Sequence, residues 1–144
     1  MPKWVDAGFA EYAKRVKGRF KLELVEIPAY KRNQPSDSVK AIAHEEEKIL
    51  SVTKKSGLCI ALDRKGKQVS TLQMSEQIDN WMTQGDRAHF IIGGPEGLSD
   101  GFCQSADQCW SLSKLTFAHP VARVLLAEQI YRCCSILENK PYHR

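Results

Sequence analysis

Three glycines and a proline follow an apolar segment that ends at Ile92. Residues 93–97 read Gly-Gly-Pro-Glu-Gly, directly after the segment Ala88–Ile92. Because glycine has no Cβ, its backbone N–H and C=O groups can approach a ligand closely, and it tolerates positive φ. Open α/β sheets bind ligands at the carboxyl ends of parallel strands. The pattern therefore fits a ligand-binding loop and a plain tight turn equally well.

The same loop argues against a nucleoside triphosphate. It matches neither GxGxxG nor GxxxxGK[ST], the two glycine patterns that cradle phosphates. No lysine follows it to hold a phosphate group, and Glu96 would repel one. A doubly wound domain that binds a nucleotide or a phosphorylated metabolite is therefore disfavoured.

The segment SLSKLTFAHP, residues 111–120, is a second candidate for ligand contact. Its hydroxyl residues alternate with leucine and phenylalanine, so it could enclose an adenine with backbone hydrogen bonds and an apolar floor. The alternative is an ordinary short strand with a bend. Arg123 follows in the first turn of a predicted helix, where a cation opposes the helix dipole at about 0.3–1 kcal/mol. It is either solvated or bound to an anion or a substrate carbonyl.

Periodicity predicts the elements that position these residues. Helical spacing or caps predict helices. Short apolar or β-branched runs predict strands. Helices are expected from Trp4 to Phe20, Val39 to Leu50, Ser70 (with Gln73 as a capping box) to Gly85, Ser99 to Cys109, and Val121 to Leu137; strands at 21–27, 58–63 and 88–92; and a turn in RKGKQ, residues 64–68. Helices alternating with strands indicate one α/β domain with a mostly parallel sheet.

Composition limits the class of protein. The chain has 144 residues, 42% of them hydrophobic, and a net charge of +4. Its apolar runs are too short for a membrane span, so we expect a soluble, cytoplasmic protein. The five cysteines form no CxxC pair and the four histidines are scattered, which indicates reduced thiols and no metal site. Basic residues gather at 14–21, 31–32, 54–55, 64–67 and the C-terminal end, a distribution that by itself favours solvated faces over a phosphate-binding surface.

Several motifs occur in one order along the second half of the chain. They are FIIGGPEGLS at 90–99, WSLSKLT at 110–116, His119-Pro120, Arg123, EQIYR at 128–132 and YHR at 142–144. With them, the chain from Pro2 to Arg144 resembles the ribosomal large-subunit RNA methyltransferase H family of the SPOUT superfamily.

This resemblance implies an α/β fold with a C-terminal deep trefoil knot, a homodimer, and S-adenosylmethionine held by the knot loops. It implies that the substrate is N3 of a pseudouridine in 23S rRNA within the assembled ribosome. The cofactor residues carried over from the family are Leu62, Gly93, Gly94, Ser113, Lys114, Leu115, Thr116, Phe117 and Ala118. The family also usually begins with a short strand before the first helix, and we expect that strand to be absent here.

Substrate-side roles follow from the same resemblance. Histidine is the residue type whose intrinsic acidity suits a general base, so His143 is a candidate for that role. Arg144 and Arg123 could stabilise developing oxyanions or hold phosphates, and Tyr142 could stack on a base or orient it. The residue that accepts the N3 proton stays open. The alternative to an active enzyme is a knotted RNA- or ribosome-binding module that does not turn over.

Overall fold

The structure, a computed structural model, describes residues 1–53 and 57–144. Lys54 and Lys55 of the predicted basic cluster lie outside the described residues. The chain forms two compact units, each built from separate stretches of sequence. The helical unit comprises Met1–Leu24, Val69–Gln84 and Phe117–Arg144, and the sheet unit comprises Val25–Gln68 and Gly85–Thr116.

The sheet unit contains three parallel strands, which confirms the predicted α/β class with a parallel sheet. They are β1 (Leu58–Gln68), β2 (Ala88–Ile92) and β3 (Gln108–Ser111), in the order β2-β1-β3. Central β1 pairs with both neighbours. The apolar run LCIALD therefore lies in the middle of the sheet, as continuous hydrophobicity predicts.

One face of this sheet forms a core with two helices. Ala61 of β1 and Ile91 of β2 are register partners on that face. They pack with Ile49 of α2 (Ser38–Thr53) and Phe102 of α4 (Asp100–Ser105). A 3₁₀ turn, Pro35–Asp37, leads into α2. This core fixes the positions of α2 and α4, the two helices that contact the glycine loop and its far arm.

The expected turn at residues 64–68 is wrong, because β1 continues through it. After Leu62 the pairing with β3 shifts, and it resumes at Lys67, which pairs with Trp110. A Cβ on Gly66 would lie 2.6 Å from the Trp110 carbonyl carbon, so only glycine lets the two backbones approach. The intervening residues are accommodated as an irregularity within the strand.

The helical unit is formed by α1 (Lys3–Ala13), α3 (Thr71–Gln84) and α5 (His119–Leu137). Both α1 and α3 pack on α5. The predicted capping box of α3 is confirmed. The Gln73 N–H donates to Ser70 Oγ over 3.1 Å, and the Ser70 N–H donates to Gln73 Oε1 over 2.8 Å. Pro120 lies in the first turn of α5, as predicted.

Two expectations for the N-terminal part are wrong. The first helix ends at Ala13 rather than Phe20, and the chain then passes through Gly18 with φ of +76°. Helical geometry does not include a positive φ, although Val16 and Phe20 still reach the core. Residues 21–27 form no strand, because among residues 1–53 and 57–144 none pairs with them in the sheet.

The segment after the glycine loop also differs from its prediction. Ser99 caps α4 as expected, but the helix ends at Ser105 instead of continuing to Cys109. Asp107 accepts a hydrogen bond of 2.7 Å from the Cys59 N–H at the start of β1. This long-range contact brings the chain back to the sheet, where the unpredicted strand β3 forms.

No helix in the described part of the chain is both long and apolar enough to cross a membrane.

Candidate functional site

Three chain segments meet beside Leu62 of β1, where the neighbouring strands β2 and β3 end. Leu62 of β1 pairs with Ile92, the last residue of β2, and with Trp110 near the end of β3. The glycine loop therefore begins beside Leu62 on one side, and the segment after Ser111 begins beside it on the other. The carboxyl ends of parallel strands are the usual ligand site of such sheets.

The glycine loop is a tight turn closed by its own backbone. The Gly97 N–H donates to the Gly94 carbonyl over 2.9 Å, and Gly97 has φ of +77°. A Cβ on Gly93 would meet the Gly97 carbonyl carbon at 2.6 Å. Two of the three glycines are thus required by the turn itself. Gly94 differs, because a Cβ there would face Glu45 Oε1 at 3.2 Å.

An ion network clamps this turn from outside. The Arg32 guanidinium contacts Glu96 Oε2 of the turn at 2.6 Å and both oxygens of Glu45 on α2 at 3.2 Å. Glu45 is only 8% exposed and also accepts a 2.9 Å hydrogen bond from the Tyr30 N–H. Desolvation acts to lower the pKa of Arg32, but the hydrogen bond to Glu96 and the negative charge of Glu45 outweigh it, so that this pKa lies above its ordinary value.

The far arm of the loop is held by the next residue of α2. Glu46 accepts hydrogen bonds from the Ser99 N–H at 2.6 Å and the Ser99 hydroxyl at 2.7 Å. The same hydroxyl accepts from the Phe102 N–H at 3.1 Å, which caps α4. Two consecutive glutamates of α2 therefore support the loop between β2 and α4, Glu45 through Arg32 and Glu46 by direct hydrogen bonds.

The third segment, residues 112–118, belongs to no helix or strand. Ser111 Oγ donates to the Ser113 carbonyl over 2.8 Å, and Ser113 Oγ accepts from the Leu115 N–H over 3.0 Å. Leu115 is 70% exposed, so its side chain offers an uncovered apolar surface. Phe117 and Ala118 belong to the helical unit, where the Ala118 carbonyl accepts the first hydrogen bond of α5 from Ala122.

The first turn of α5 holds a histidine beside a cation. Burial lowers the pKa of His119, and the positive charge of Arg123 lowers it further. His119 is thereby kept neutral near neutral pH. Arg123 is half-buried rather than fully solvated.

The C-terminal tail is fastened to the middle of α5. The Tyr142 hydroxyl donates to Glu128 Oε2 over 2.8 Å, and its ring meets the Tyr131 ring edge-on at 4.6 Å. Burial raises the pKa of Tyr142, and the bond to Glu128 raises it further. Burial also acts to raise the pKa of Glu128, but hydrogen bonds from Arg132 and Tyr142 outweigh it, so that pKa lies below its ordinary value.

Arg132 connects the tail to the helix at several points. It donates to Glu128 Oε2 from both Nη2, at 2.8 Å, and Nε, at 3.1 Å. Its Nη1 lies 3.3 Å from His143 Nδ1, and its guanidinium carbon lies 4.7 Å from the centre of the Tyr142 ring. The side chain is 24% exposed, so these contacts are only partly screened by water.

A cavity of about 400 Å³ opens beside the irregular part of β1. Its walls include Cys103 and Cys109, together with lysine and aspartate side chains. Burial, with a hydrogen bond to Cys109, raises the pKa of Cys103 to about 12, so its thiol stays protonated and is a poor nucleophile. All five cysteines are free. Among residues 1–53 and 57–144, no three His, Cys, Asp or Glu side chains form a metal-binding cluster.

Many of the basic residues have acidic neighbours. Lys14 and Arg15 both pair with Glu11, and Lys65 pairs with Asp100 at 2.8 Å. These exposed pairs favour solvated faces over a continuous phosphate-binding surface for the 14–21 and 64–67 clusters.

Comparison with known proteins decides the family. Residues 1–143 match the family described as "Predicted SPOUT methyltransferase". The chain belongs to the SPOUT methyltransferase family. It is 45% identical over 144 residues to the Ribosomal RNA large subunit methyltransferase H of Hydrogenovibrio crunogenus, covering 100% of this chain and 92% of that protein. Two further proteins of the same name, from Thioalkalivibrio sulfidiphilus and from a Marinomonas species, are each 46% identical to this chain over all of its 144 residues. The matches cover 92% and 93% of those two proteins, respectively.

The SPOUT residues predicted for the cofactor are partly brought together. Leu62, Gly93 and Gly94 lie at the same sheet edge, and the segment that holds Ser113, Lys114, Leu115 and Thr116 starts there. Tyr142 and His143 form one cluster, while Arg123 lies nine residues from Arg132, about 14 Å along the helix axis. Arg144 is exposed at the chain end.

Sequence reasoning missed the residues that hold these segments. Arg32, Glu45 and Glu46 support the glycine loop, and Glu128 and Arg132 support the tail. EQIYR is part of the family resemblance, but its spacing carries no sign that it binds the tail. In the sequence, Arg32 is only one member of a basic pair with Lys31.

Proposed function

We propose that the chain transfers a methyl group from S-adenosylmethionine to N3 of a pseudouridine in 23S rRNA of the assembled ribosome. The observation that carries the proposal is the pairing of Leu62 with both Ile92 and Trp110, which joins the predicted cofactor segments at one ligand-binding edge. Membership of the SPOUT family supports methyl transfer. The relatives' name supports large-subunit ribosomal RNA as the substrate.

The residues at this edge fit the proposed methyl donor. S-adenosylmethionine supplies an electrophilic methyl group on a sulfonium, and its adenosine is neutral. Residues 112–118 have backbone groups outside any helix or strand, and Leu62 and Leu115 supply apolar surface. Such a site suits a neutral purine, which needs hydrogen bonds and apolar contact rather than lysines. Lys114 is the cationic residue carried over for this segment.

The imide nitrogen N3 must give up its proton, which we propose passes to water, as it gains the methyl group and the sulfonium leaves as the neutral thioether S-adenosylhomocysteine. Negative charge then develops on the two flanking carbonyl oxygens, so donors aimed at them lower the barrier. Arg123, Arg144 and His143 carry the N–H groups proposed for this, and Tyr142 is proposed to orient the base. The enzyme contributes position and charge stabilisation, and the electrophile is already activated.

The further family features are part of the same proposal. We expect the two units to act as one methyltransferase domain with a trefoil knot, since one family description spans residues 1–143. We also expect a cytoplasmic homodimer. In this homodimer, the tail of one copy is proposed to reach the cofactor edge of the other copy.

Calorimetric titration with S-adenosylmethionine tests the donor, followed by methyl transfer to ribosomes measured with a labelled methyl group. Saturable binding and incorporation at one pseudouridine are expected. Ribosome binding without any cofactor binding would instead identify an RNA-binding module that does not turn over, and would overturn the proposal.

Shared sites are tested with a mixed dimer that carries Arg144→Ala on one chain and Gly94→Val on the other. If the tail and the cofactor edge come from different chains, the mixed dimer forms one intact site and exceeds both parent homodimers in activity. Activity no higher than that of either parent would contradict shared sites.

A further inference from the structure

The Arg132 guanidinium contacts one of the two ring nitrogens of His143. A guanidinium has five N–H donors and no acceptor, so its contact with His143 Nδ1 at 3.3 Å is a hydrogen bond only if Nδ1 accepts. In a neutral imidazole one nitrogen accepts and the other carries the proton. The proton of His143 must then be on Nε2.

Arg132 cannot turn away from this contact without losing others. Its Nη2 and Nε are both bound to Glu128 Oε2, and Tyr142 binds the same oxygen. The planar guanidinium therefore has a fixed orientation, with Nη1 directed at the imidazole. A proton on Nδ1 would face an N–H donor instead of an acceptor.

We propose that Arg132 is a positioning residue that holds His143 as the Nε2–H tautomer, so that His143 donates a hydrogen bond to a carbonyl oxygen beside the target nitrogen and does not accept the N3 proton. The proposal rests on the methyltransferase function proposed above. A histidine whose Nδ1 is occupied and whose Nε2 carries a proton has no free lone pair for a base. It does have an N–H that is oriented before the substrate arrives, which is what charge stabilisation needs.

The tautomer is measured directly by long-range ¹H–¹⁵N NMR of the full-length protein, with the His143 signals assigned from their absence in His143→Asn. The Nε2–H pattern is expected in the wild-type chain. In Arg132→Met it should change to a mixture of tautomers, and Arg132→Lys, which keeps one donor, should partly restore it. An Nδ1–H or mixed pattern in the wild-type chain would overturn the proposal.

Two substitutions of His143 separate the roles in methyl transfer. Glutamine puts an N–H₂ donor near the position of Nε2, whereas asparagine puts its amide near Nδ1. As a donor, His143→Gln should keep kcat within about tenfold of wild type, and His143→Asn should lose about 100-fold or more. Equal, large losses in both would indicate a proton acceptor and would contradict the proposal.

Failure of the proposed function gives a different result. A wild-type protein that methylates no ribosomal substrate, yet has the Nε2–H pattern and loses it in Arg132→Met, would refute the reaction and leave the positioning by Arg132 standing. The tautomer measurement needs neither cofactor nor RNA.

Discussion

Tyr142 and Glu128 are joined by a hydrogen bond of 2.8 Å between the phenol hydroxyl and Oε2. The bond attaches a chain end, which would ordinarily be mobile, to the middle of a long helix. Because Arg132 binds the same carboxylate, Glu128 organises both the aromatic ring and the imidazole of the tail. The tail is thus a preformed surface on α5.

Glu128→Gln should lower the pKa of Tyr142. Burial is the larger cause that raises this pKa, and it remains in the variant, but the contribution of the Glu128 carboxylate is removed. The pKa should therefore fall part of the way toward the ordinary value of a tyrosine. Ultraviolet titration of tyrosinate absorbance measures it, and the same titration of Tyr142→Phe identifies which of the four tyrosines changes.

The variant should also be less stable. A hydrogen bond to a charged group contributes about 1.5–3 kcal/mol, and glutamine keeps a neutral version of it. We expect the free energy of unfolding to fall by about 1–2 kcal/mol, measured by urea denaturation. A Glu128→Gln protein with wild-type stability and an unchanged Tyr142 pKa would mean that the tail does not rest on α5.

Gly93→Ala should destabilise the fold, because the added Cβ would meet the Gly97 backbone at 2.6–2.9 Å. Backbone atoms in a closed turn cannot move aside as a side chain can, so a loss of more than about 1 kcal/mol is expected. Gly101→Ala is the matched control. Nothing lies within 4 Å of its added Cβ, and α4 favours alanine over glycine. Equal changes in the free energy of unfolding for the two substitutions would contradict the close approach of Gly93 to the Gly97 backbone.

The elements that could be predicted are those whose signal is local. The apolar run Ala88–Ile92 and the Ser70–Gln73 capping box are confirmed because neighbouring residues alone determine them. Residues 21–27 have strand-forming side chains, yet a strand exists only when another backbone pairs with it. Strand β3 was missed for the opposite reason, since four residues with an apolar centre also fit the end of a helix.

The candidate site likewise has one part that the sequence predicts and another part that depends on the fold. The rule for parallel sheets predicts that Leu62 and Gly93 lie together. The contacts of Arg32 with Glu45 and of Arg132 with His143 depend on chain segments 11 to 13 residues apart, and their geometry follows from the fold. No spacing rule for side chains reaches across a loop or a chain end.

Arg32→Met should weaken the binding of S-adenosylmethionine and leave the structure of the helical unit largely unchanged. Methionine keeps much of the side-chain volume but leaves the buried carboxylate of Glu45 and the turn residue Glu96 without their shared cation. The turn is then free to shift. Because a displacement of about 1 Å at a reacting centre can cost about 100-fold in rate, methyl transfer should fall by as much as that. Calorimetry gives the change in Kd.

The exposed pair Lys65–Asp100 provides the control for Arg32→Met. Lys65→Met removes an ion pair of the same sheet unit that does not touch the glycine loop. It should leave the Kd for S-adenosylmethionine within about twofold, since exposed pairs contribute little. Equal weakening by both variants would show that net charge, and not the clamp on the turn, governs binding.

Ser99→Ala should remove both the cap of α4 and the hydroxyl contact to Glu46. Loss of a serine cap costs about 0.5–2 kcal/mol of stability. Ser51→Ala, at an exposed position of α2 whose hydroxyl donates to the Lys48 carbonyl of the same helix, should change stability by less than about 0.5 kcal/mol. Urea denaturation compares the two. A larger effect at Ser51 than at Ser99 would contradict the anchoring of the loop by α2.

Arg123→Gln should raise the pKa of His119 toward its ordinary value of 6.5, because one of the two causes that lower it is removed. In the folded wild type this pKa is depressed, so below about pH 6.5 the unfolded chain binds more protons and stability falls with acid. The variant should lose less stability between neutral pH and pH 5.

Removing the cation from the first turn of α5 also stabilises the fold by about 0.3–1 kcal/mol, but at every pH. NMR titration of His119, with denaturation at several pH values, separates the two effects. An unchanged His119 pKa would contradict an electrostatic interaction between Arg123 and His119.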